Sequence, residues 1–171
     1  TNISVRERNL VLIGCFPRHL RYFYLFLSFT FQPIALPGLK PVTEVCLGCI
    51  CQAISGCKQG TLCEGDACGL FRITWAYWAD AGKPVLPGTS PDSPTGKFIF
   101  YDCTNDPYCA AEAVQNYMRK FGQDCNGDGV VNCYDYMAIH KKGGYGCTGD
   151  LPFKYVNDFN QCVATVAAAQ G

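Results

Sequence analysis

The sequence lacks an excess of either charge, and it lacks an apolar stretch long enough to cross a bilayer. Its 171 residues carry 14 Lys and Arg against 14 Asp and Glu, without a run of like charges. A nucleic-acid binder needs a basic face, so the composition argues against that class of partner. The longest apolar run, Tyr22 to Phe31, has about half the length of a membrane-spanning helix, which makes a membrane anchor the weaker interpretation of it.

Residues 1–39 differ in charge from the rest of the chain. They hold four Arg and one Glu, whereas residues 40–171 hold ten Lys and Arg against thirteen Asp and Glu. A basic segment, the apolar run and a Pro/Gly-rich stretch ending near Gly38 follow one another in the order of a secretory signal. The sequence predicts a leader over 1–39 and a mature domain over 40–171, secreted and extracellular, with no membrane partner after the leader is removed.

Cysteine is unusually frequent, with 13 in the chain. Twelve of them lie beyond the predicted leader: Cys46, Cys49, Cys51, Cys57, Cys63, Cys68, Cys103, Cys109, Cys125, Cys133, Cys147 and Cys162. An even and dense set in a secreted chain predicts about six disulfides, whose pairing the sequence leaves open. Zinc is the weaker interpretation, because the spacings are irregular and the chain has only two histidines, His19 and His140.

Apolar residues at helical spacing, with capping residues before them and glycines after them, predict four helices. These cover 43–55, the stretch from the cap Asp106 to Gly122, 132–142 and about 153–168. Residues 69–73 are predicted to be extended, and the Pro/Gly-rich stretch 80–102 to be a loop or a ragged hairpin. Short helices with one small β region predict an all-α or α+β domain, which we assign as α+β.

Several cysteine-bearing blocks follow one another in a distinctive order. They are Cys46-Leu-Gly-Cys49-Ile-Cys51 closed by Ser55-Gly56-Cys57, Cys68-Gly-Leu-Phe-Arg-Ile73 leading to Tyr77-Trp78-Ala-Asp80, Cys103-Thr-Asn-Asp-Pro-Tyr-Cys109, the stretch 114–121, and Ile139-His140 with Gly143-Gly144. Over about residues 43–162 the chain thus resembles the invertebrate-type lysozyme or destabilase family. The resemblance implies a lysozyme-like fold, no required cofactor, and cleavage of the β-1,4 bond between N-acetylmuramic acid and N-acetylglucosamine in peptidoglycan.

The chain departs from the family pattern at the general acid. The resemblance places that acid, a Glu, just before the Ser-Gly-Cys turn, where this chain has Ile54. Glycoside hydrolysis needs one protonated and one ionised carboxyl group, so muramidase activity is expected to be weakened or lost. Asp66 is the candidate for the second carboxylate, with Glu64 as its competitor between the same two cysteines.

Some family members are also credited with isopeptidase activity, which is assigned to a serine near the Cys-Gly motif and a histidine. His140 is the candidate catalytic histidine, but Ala67 stands where the serine is expected, and Ser55 is the nearest alternative. Capping or packing is the ordinary role of a histidine in the last turn of a helix. The resemblance also implies a missing bridge, because relatives often have cysteines where this chain has Ala81 and Ala113.

Residues 124–135 fit the pattern of a calcium-binding loop, with oxygen-bearing side chains at the ligand positions, a central glycine and a helix after it. The predicted metal ligands are Asp124, Asn126, Asp128, the Val130 carbonyl, Asn132 and Asp135. The alternative is a turn closed by disulfides without a metal, because Cys125 and Cys133 lie inside the loop. Calcium is therefore expected as a structural ion at most.

Three aromatic residues, Trp75, Tyr77 and Trp78, are candidates for stacking on sugar rings, with core packing as the alternative. The favoured hypothesis is a monomeric, secreted lysozyme homologue that binds peptidoglycan or another glycan and has lost or displaced its acid. The alternatives are a working muramidase whose acid is not apparent, a calcium-stabilised binder of glycans or proteins, and an isopeptidase. The net charge of residues 40–171 counts against an antibacterial role, since bacterial cell walls are anionic.

Overall fold

Helices dominate the described part of the chain. The computed structural model describes residues 40–60, 63–90 and 96–170, and the leader predicted over 1–39 lies outside them. The elements are α1 (Glu44–Ser55), β1 (Cys63–Glu64), β2 (Ala67–Cys68), β3 (Ile73–Thr74), α2 (Trp75–Asp80), α3 (Gly96–Asn105), α4 (Pro107–Phe121), α5 (Cys133–Lys142) and α6 (Phe153–Gln170). The strands form one antiparallel sheet in the order β1-β2-β3, which confirms the predicted α+β class.

The first helix begins and ends where the sequence predicts. The Thr43 hydroxyl accepts the backbone N–H of Cys46 at 3.2 Å and caps the N-terminus of α1. Gly56, at φ 69°, ends the helix in the left-handed conformation that glycine adopts without steric cost. Between these caps, Cys46, Cys49, Ile50 and Cys51 are buried and attach the helix to the core.

All twelve cysteines of the described residues pair, which confirms the predicted six disulfides. The pairs are Cys46–Cys133, Cys49–Cys162, Cys51–Cys57, Cys63–Cys68, Cys103–Cys109 and Cys125–Cys147. Two of them connect distant parts of the chain, since Cys46–Cys133 joins α1 to α5 and Cys49–Cys162 joins α1 to α6. The helix whose last turn bears Ile54 is therefore fixed at two points.

The core lies between these helices and the short sheet. Trp78, Phe159, Ile50, Ile73 and Met118 are among its fully buried side chains. The buried Gln115 side chain in α4 binds the chain just before α1: its Oε1 accepts the Val42 N–H at 3.0 Å, and its Nε2 donates to the Val42 carbonyl at 2.6 Å. Among the described residues, none of the helices is both long and apolar enough to cross a membrane.

Two predictions of local structure are wrong. The C-terminal part of the predicted loop 80–102 belongs to α3, because Ile99, Phe100 and Cys103 recur at helical spacing and are buried. Residues 69–72 form a turn and only Ile73–Thr74 is extended, because Gly69 and Arg72 take positive φ angles of 70° and 51°. Glycine is required at position 69, where a Cβ atom would lie 1.7 Å from the carbonyl oxygen of Thr104.

Candidate functional site

A cleft of about 330 Å³ lies beside the end of α1. Its walls come from α1, the sheet, the turn before β3, α2, α4 and the end of α5. The lining residues are Ile54, Ala67, Arg72, Thr74, Ala76, Tyr77, Asp80, Tyr117, His140, Lys141 and Gly143. We call this the central cleft.

Ile54 occupies the wall of the central cleft where the resemblance expects the general acid. It is half-buried in the last turn of α1, and that turn is fixed because the Gly56 N–H donates to the carbonyls of Cys51 and Gln52. Among the described residues that line the cleft, Asp80 is the only one with a carboxyl group. Its Oδ1 lies 2.7 Å from Nζ of Lys120, so this carboxylate is already paired with a cation.

The two candidates for the second carboxylate lie on or beside the hairpin formed by β1 and β2. Asp66 is exposed in the turn between these strands, and its neighbour Ala67, not Asp66 itself, lines the central cleft. Glu64 forms an ion pair with the cleft residue Arg72, with 2.9 Å between Oε1 and Nη2. The structure thus places Asp66 next to the cleft residue Ala67 in the chain and pairs Glu64 with the cleft residue Arg72.

His140 is buried, and both of its ring nitrogens are hydrogen-bonded within the protein. Nε2 lies 2.8 Å from the Phe71 carbonyl, which can only accept, so Nε2 carries the proton. Nδ1 then accepts from the Tyr77 hydroxyl at 3.1 Å. Burial lowers the pKa of His140 from its ordinary value to about 4, so the ring is neutral near pH 7. In this conformation neither nitrogen is free for a substrate.

The tyrosines beside His140 close the floor of the cleft. The rings of Tyr77 and Tyr117 stack with 3.6 Å between their centroids, and the Tyr117 hydroxyl accepts the Gly144 N–H at 3.2 Å. Burial raises the pKa of Tyr77 well above its usual value, so its hydroxyl stays protonated and continues to donate to His140. This network holds the histidine in one tautomer.

Ser55, the alternative nucleophile, does not pair with His140. Its hydroxyl donates to the Leu70 carbonyl at 2.5 Å and lies 3.4 Å from the Cys51 carbonyl. A serine nucleophile needs a base within hydrogen-bond reach, and the His140 nitrogens bind Phe71 and Tyr77 instead. The isopeptidase hypothesis therefore has no serine and histidine in contact at these two positions.

The three aromatic residues proposed to stack on sugars differ in their exposure to solvent. Trp78 is fully buried and its indole N–H donates to the Pro84 carbonyl at 2.8 Å, which leaves no surface for a sugar ring. Tyr77 is buried apart from its edge on the central cleft. Trp75 is 45% exposed and packs against Phe100, with 5.5 Å between ring centroids. Of the three, Trp75 alone presents a large surface to solvent.

The predicted calcium loop is closed by its own backbone. The Asp124 carboxylate accepts the N–H groups of Gly127 and Gly129 at 2.7 and 2.8 Å, and the Gly129 bond is the main reason that its pKa is lowered. The fully buried Asp135 carboxylate accepts the N–H groups of Cys125 and Asn132, both at 2.8 Å.

The other predicted ligands also take part in this internal network. The Asn132 side chain caps α5 by accepting the Tyr134 N–H at 2.8 Å, and Asp128 accepts from Val130 and Asn126. Within the described ranges, no three His, Cys, Asp or Glu side chains are grouped closely enough to hold a metal ion. The side chains of the loop offer the oxygen ligands that a hard cation such as calcium prefers. Their carboxylates do not converge on one point, so calcium binding stays a prediction.

Sequence reasoning did not single out Arg72 and Lys141, the two cationic residues of the central cleft. Arg72 stands within the block Cys68-Gly-Leu-Phe-Arg-Ile73, but nothing in the block shows that its backbone is left-handed. Lys141 directly follows His140 and resembles any solvated lysine at a helix C-terminus.

Comparison with known proteins agrees with this architecture. The Destabilase family model matches residues 43–162. The chain is 34% identical to a lysozyme of Magallana gigas, over 70% of this chain and 80% of that protein. It is 32% identical to invertebrate-type lysozyme 3 of Caenorhabditis elegans, over 68% of this chain and 84% of that protein. The crystal structure of Meretrix lusoria lysozyme in complex with PliI of Aeromonas hydrophila superposes with a TM-score of 0.56 at 31% identity, over 72% of this chain and 92% of that one. The chain therefore belongs to the Destabilase family, the family of the invertebrate-type lysozymes.

Proposed function

We propose that this protein is a secreted glycan-binding member of the invertebrate-type lysozyme family that does not hydrolyse peptidoglycan. The observation that carries the proposal is Ile54 in the wall of the central cleft, at the position of the family's acid. The protein binds a peptidoglycan chain or a related glycan in that cleft and releases it unchanged.

The chemistry of glycoside hydrolysis supports the absence of turnover. The leaving oxygen needs a proton from a carboxyl group that is kept neutral, and a second carboxylate must attack the sugar or stabilise its cation. Among the described residues that line the central cleft, Asp80 alone has a carboxyl group, and its Oδ1 lies 2.7 Å from Nζ of Lys120. Loss of the general acid lowers the rate by about 10² to 10⁴-fold.

Secretion is supported by the six disulfides, because such bonds form and persist in oxidising compartments. Peptidoglycan as the ligand is supported by the relatives, several of which are named lysozymes. The exposed face of Trp75 is a further candidate for contact with a sugar, since aromatic rings suit the apolar faces of pyranoses.

The test pairs cell-wall binding with cell-wall clearing. We expect the native protein to co-sediment with purified peptidoglycan. We also expect it to leave the turbidity of the suspension unchanged from about pH 4 to 8, the range in which a carboxyl group can act as the general acid. Ile54→Glu restores the missing carboxyl group in an intact cleft, so we expect this variant to clear the suspension slowly.

Ile54→Gln is the matched control, because glutamine has the size and polarity of glutamate without a proton to give. It should bind cell wall and fail to clear it. Clearing by the native protein at the rate of its relatives would disprove the proposal, since the acid would then lie elsewhere. Failure of the native protein to sediment with any glycan polymer would disprove the binding half.

A further inference from the structure

A second cleft adjoins the central cleft at the end of α1. This side cleft, of about 490 Å³, lies between the C-terminal ends of α1 and α5 and the start of α6. Ile54 and Lys141 line both clefts, and Lys58 and Lys154 line the side cleft. The two clefts thus meet at Ile54 and Lys141, and we call them together the trough.

The trough is cationic, although residues 40–171 carry more acidic than basic side chains. Its lining includes Arg72, Lys141, Lys58 and Lys154, against the carboxylates of Asp80 and Asp158. Asp158 pairs with the lining residue Lys154 at 2.5 Å, and Asp80 pairs at 2.7 Å with Lys120, which lies outside the lining, so Lys58 and Lys141 leave the trough with an excess of positive charge. Lys58 and Lys141 are exposed and have no ion-pair partner among the described residues.

Arg72 contributes a positive charge to the central-cleft part of the trough. Its backbone takes a left-handed φ of 51°, an uncommon conformation for a residue with a side chain, in the turn that its own N–H closes on the Gly69 carbonyl at 3.1 Å. Its side chain is only 11% exposed, and its Nη1 is buried with no hydrogen-bond partner, while Nη2 binds Glu64. The Glu64 side chain is 72% exposed, so this single ion pair is open to exchange with an anion from solution.

We infer that the trough binds a glycan that carries carboxylate or sulfate groups, with Arg72 and Lys141 as the residues that select the anionic chain. This inference rests on the proposed glycan-binding function and names the class of glycan. A guanidinium pairs with planar and tetrahedral oxyanions through several N–H donors, and a lysine ammonium adds a mobile point charge.

The residue at position 54 contributes to the same selectivity. Ile54 lies where the two clefts meet, beside Lys141 in the lining of both. A glutamate there would place a negative charge in the middle of the trough and repel an anionic ligand. An isoleucine removes that repulsion and presents an apolar surface to a sugar ring. The same substitution thus ends hydrolysis and favours an anionic glycan.

The test measures binding of the full chain to three hexasaccharides by calorimetry: heparin-derived, with sulfate and carboxylate groups; hyaluronan, with carboxylates alone; and chitin, which is neutral. We expect at least one anionic chain to bind about tenfold or more tightly than chitin, and its affinity to fall steeply between about 50 and 500 mM NaCl. The heparin and hyaluronan arms distinguish sulfate from carboxylate as the recognised group.

Two substitutions locate the site. Lys141→Gln and Arg72→Gln should each weaken binding of the anionic hexasaccharide by about threefold to tenfold, and by a larger factor than they weaken chitin binding. Lys142→Gln is the matched control, because Lys142 is the exposed neighbour of Lys141 in α5 and does not line the trough. It should change the affinity less than about twofold. Arg72 lies in a tight turn, so its substitution can prevent folding. In that case the Lys141→Gln variant alone decides the test.

Failure of this inference is distinguishable from failure of the proposed function. Equal affinity for chitin and both anionic chains, or equal losses in Lys141→Gln and Lys142→Gln, would overturn the anionic selectivity while the chain remained a glycan binder. Binding of polyglutamate as tight as that of the anionic hexasaccharides would also overturn it, because charge alone would then suffice. Absence of binding to all three hexasaccharides and to peptidoglycan would remove the proposed function together with the inference.

Discussion

His140 links the chemistry of the central cleft to the pH dependence of folding. The residue is 9% exposed, and its ring donates from Nε2 to the Phe71 carbonyl and accepts the Tyr77 hydroxyl proton at Nδ1. Burial holds its pKa at about 4 in the folded chain, whereas the ordinary value near 6.5 applies once the chain unfolds. The unfolded state therefore takes up a proton at a higher pH than the folded state does.

From this difference we expect the protein to lose stability as the pH falls. Neutral His140 contributes fully to the free energy of unfolding above about pH 6.5. This contribution falls progressively down to about pH 4, by an amount on the order of 3 kcal/mol. The measurement is the thermal midpoint against pH for the native chain and for His140→Gln. Glutamine can keep both hydrogen bonds without titrating, so the variant should show a shallower dependence in this window. Equal slopes in the two proteins would contradict the prediction.

At the scale of elements, the loop before α5 holds that helix through its own hydrogen bonds. Asp135 reaches back to the N–H groups of Cys125 and Asn132, and Asn132 caps the helix. This explains how the loop forms from the protein's own donors and acceptors. The half of the loop that contains Asn126 and Asp128 is exposed, and those side chains bind only each other and nearby backbone.

We therefore expect any calcium to be bound weakly and by reorientation of this exposed half. Millimolar calcium should raise the thermal midpoint by a few degrees, and magnesium at the same concentration should not, because it requires tighter octahedral geometry. Asp128→Asn is the matched variant: it keeps an oxygen for the Val130 N–H, loses the charge that attracts the ion, and should abolish the shift. An unchanged midpoint of the native chain in calcium would show that the loop is a metal-free turn.

At the scale of the whole molecule, capping and periodicity predicted most of the fold. Thr43 and Asp106 cap α1 and α4 at the predicted starts of these helices, and Asn132, predicted as the first residue of a helix and as a calcium ligand, caps α5. The start of α3 was hidden by the neighbouring prolines and glycines, and the turn at 69–72 depends on a left-handed arginine that no pattern signals. Spacing also could not separate the buried Trp78 from the exposed Trp75, because both roles require aromatic residues. The role of position 54 could be predicted because its motif is local, whereas the positive charge of the trough comes from four separate segments of the chain.

The six disulfides are distributed unevenly over the molecule. The bridges Cys46–Cys133 and Cys49–Cys162 connect α1 to α5 and α6 across 87 and 113 residues. Between residues 58 and 121, the bridges Cys63–Cys68 and Cys103–Cys109 join cysteines that are only 5 and 6 positions apart in the sequence. The sheet, α2 and the body of α4 are thus held together without a long-range covalent link.

Ala81 and Ala113 lie in this part of the chain, at the positions where the family resemblance implies a bridge in relatives. Both alanines are buried, Ala81 at the end of α2 and Ala113 within α4, two helices that pack against each other. We expect the double substitution Ala81→Cys and Ala113→Cys to form a seventh disulfide and to stabilise the protein by about 3 to 4 kcal/mol, because it closes a long loop in the unfolded chain.

The readouts are the thiol count of the oxidised protein and its thermal midpoint, with the two single substitutions as controls. A single cysteine leaves one free thiol and gains no bridge, so neither control should raise the midpoint. Two free thiols in the oxidised double variant would show that these positions are too far apart in this chain to be bridged. A bridge that forms without raising the midpoint would contradict the expected stabilisation, because strain in the folded chain would then offset the restriction of the unfolded chain.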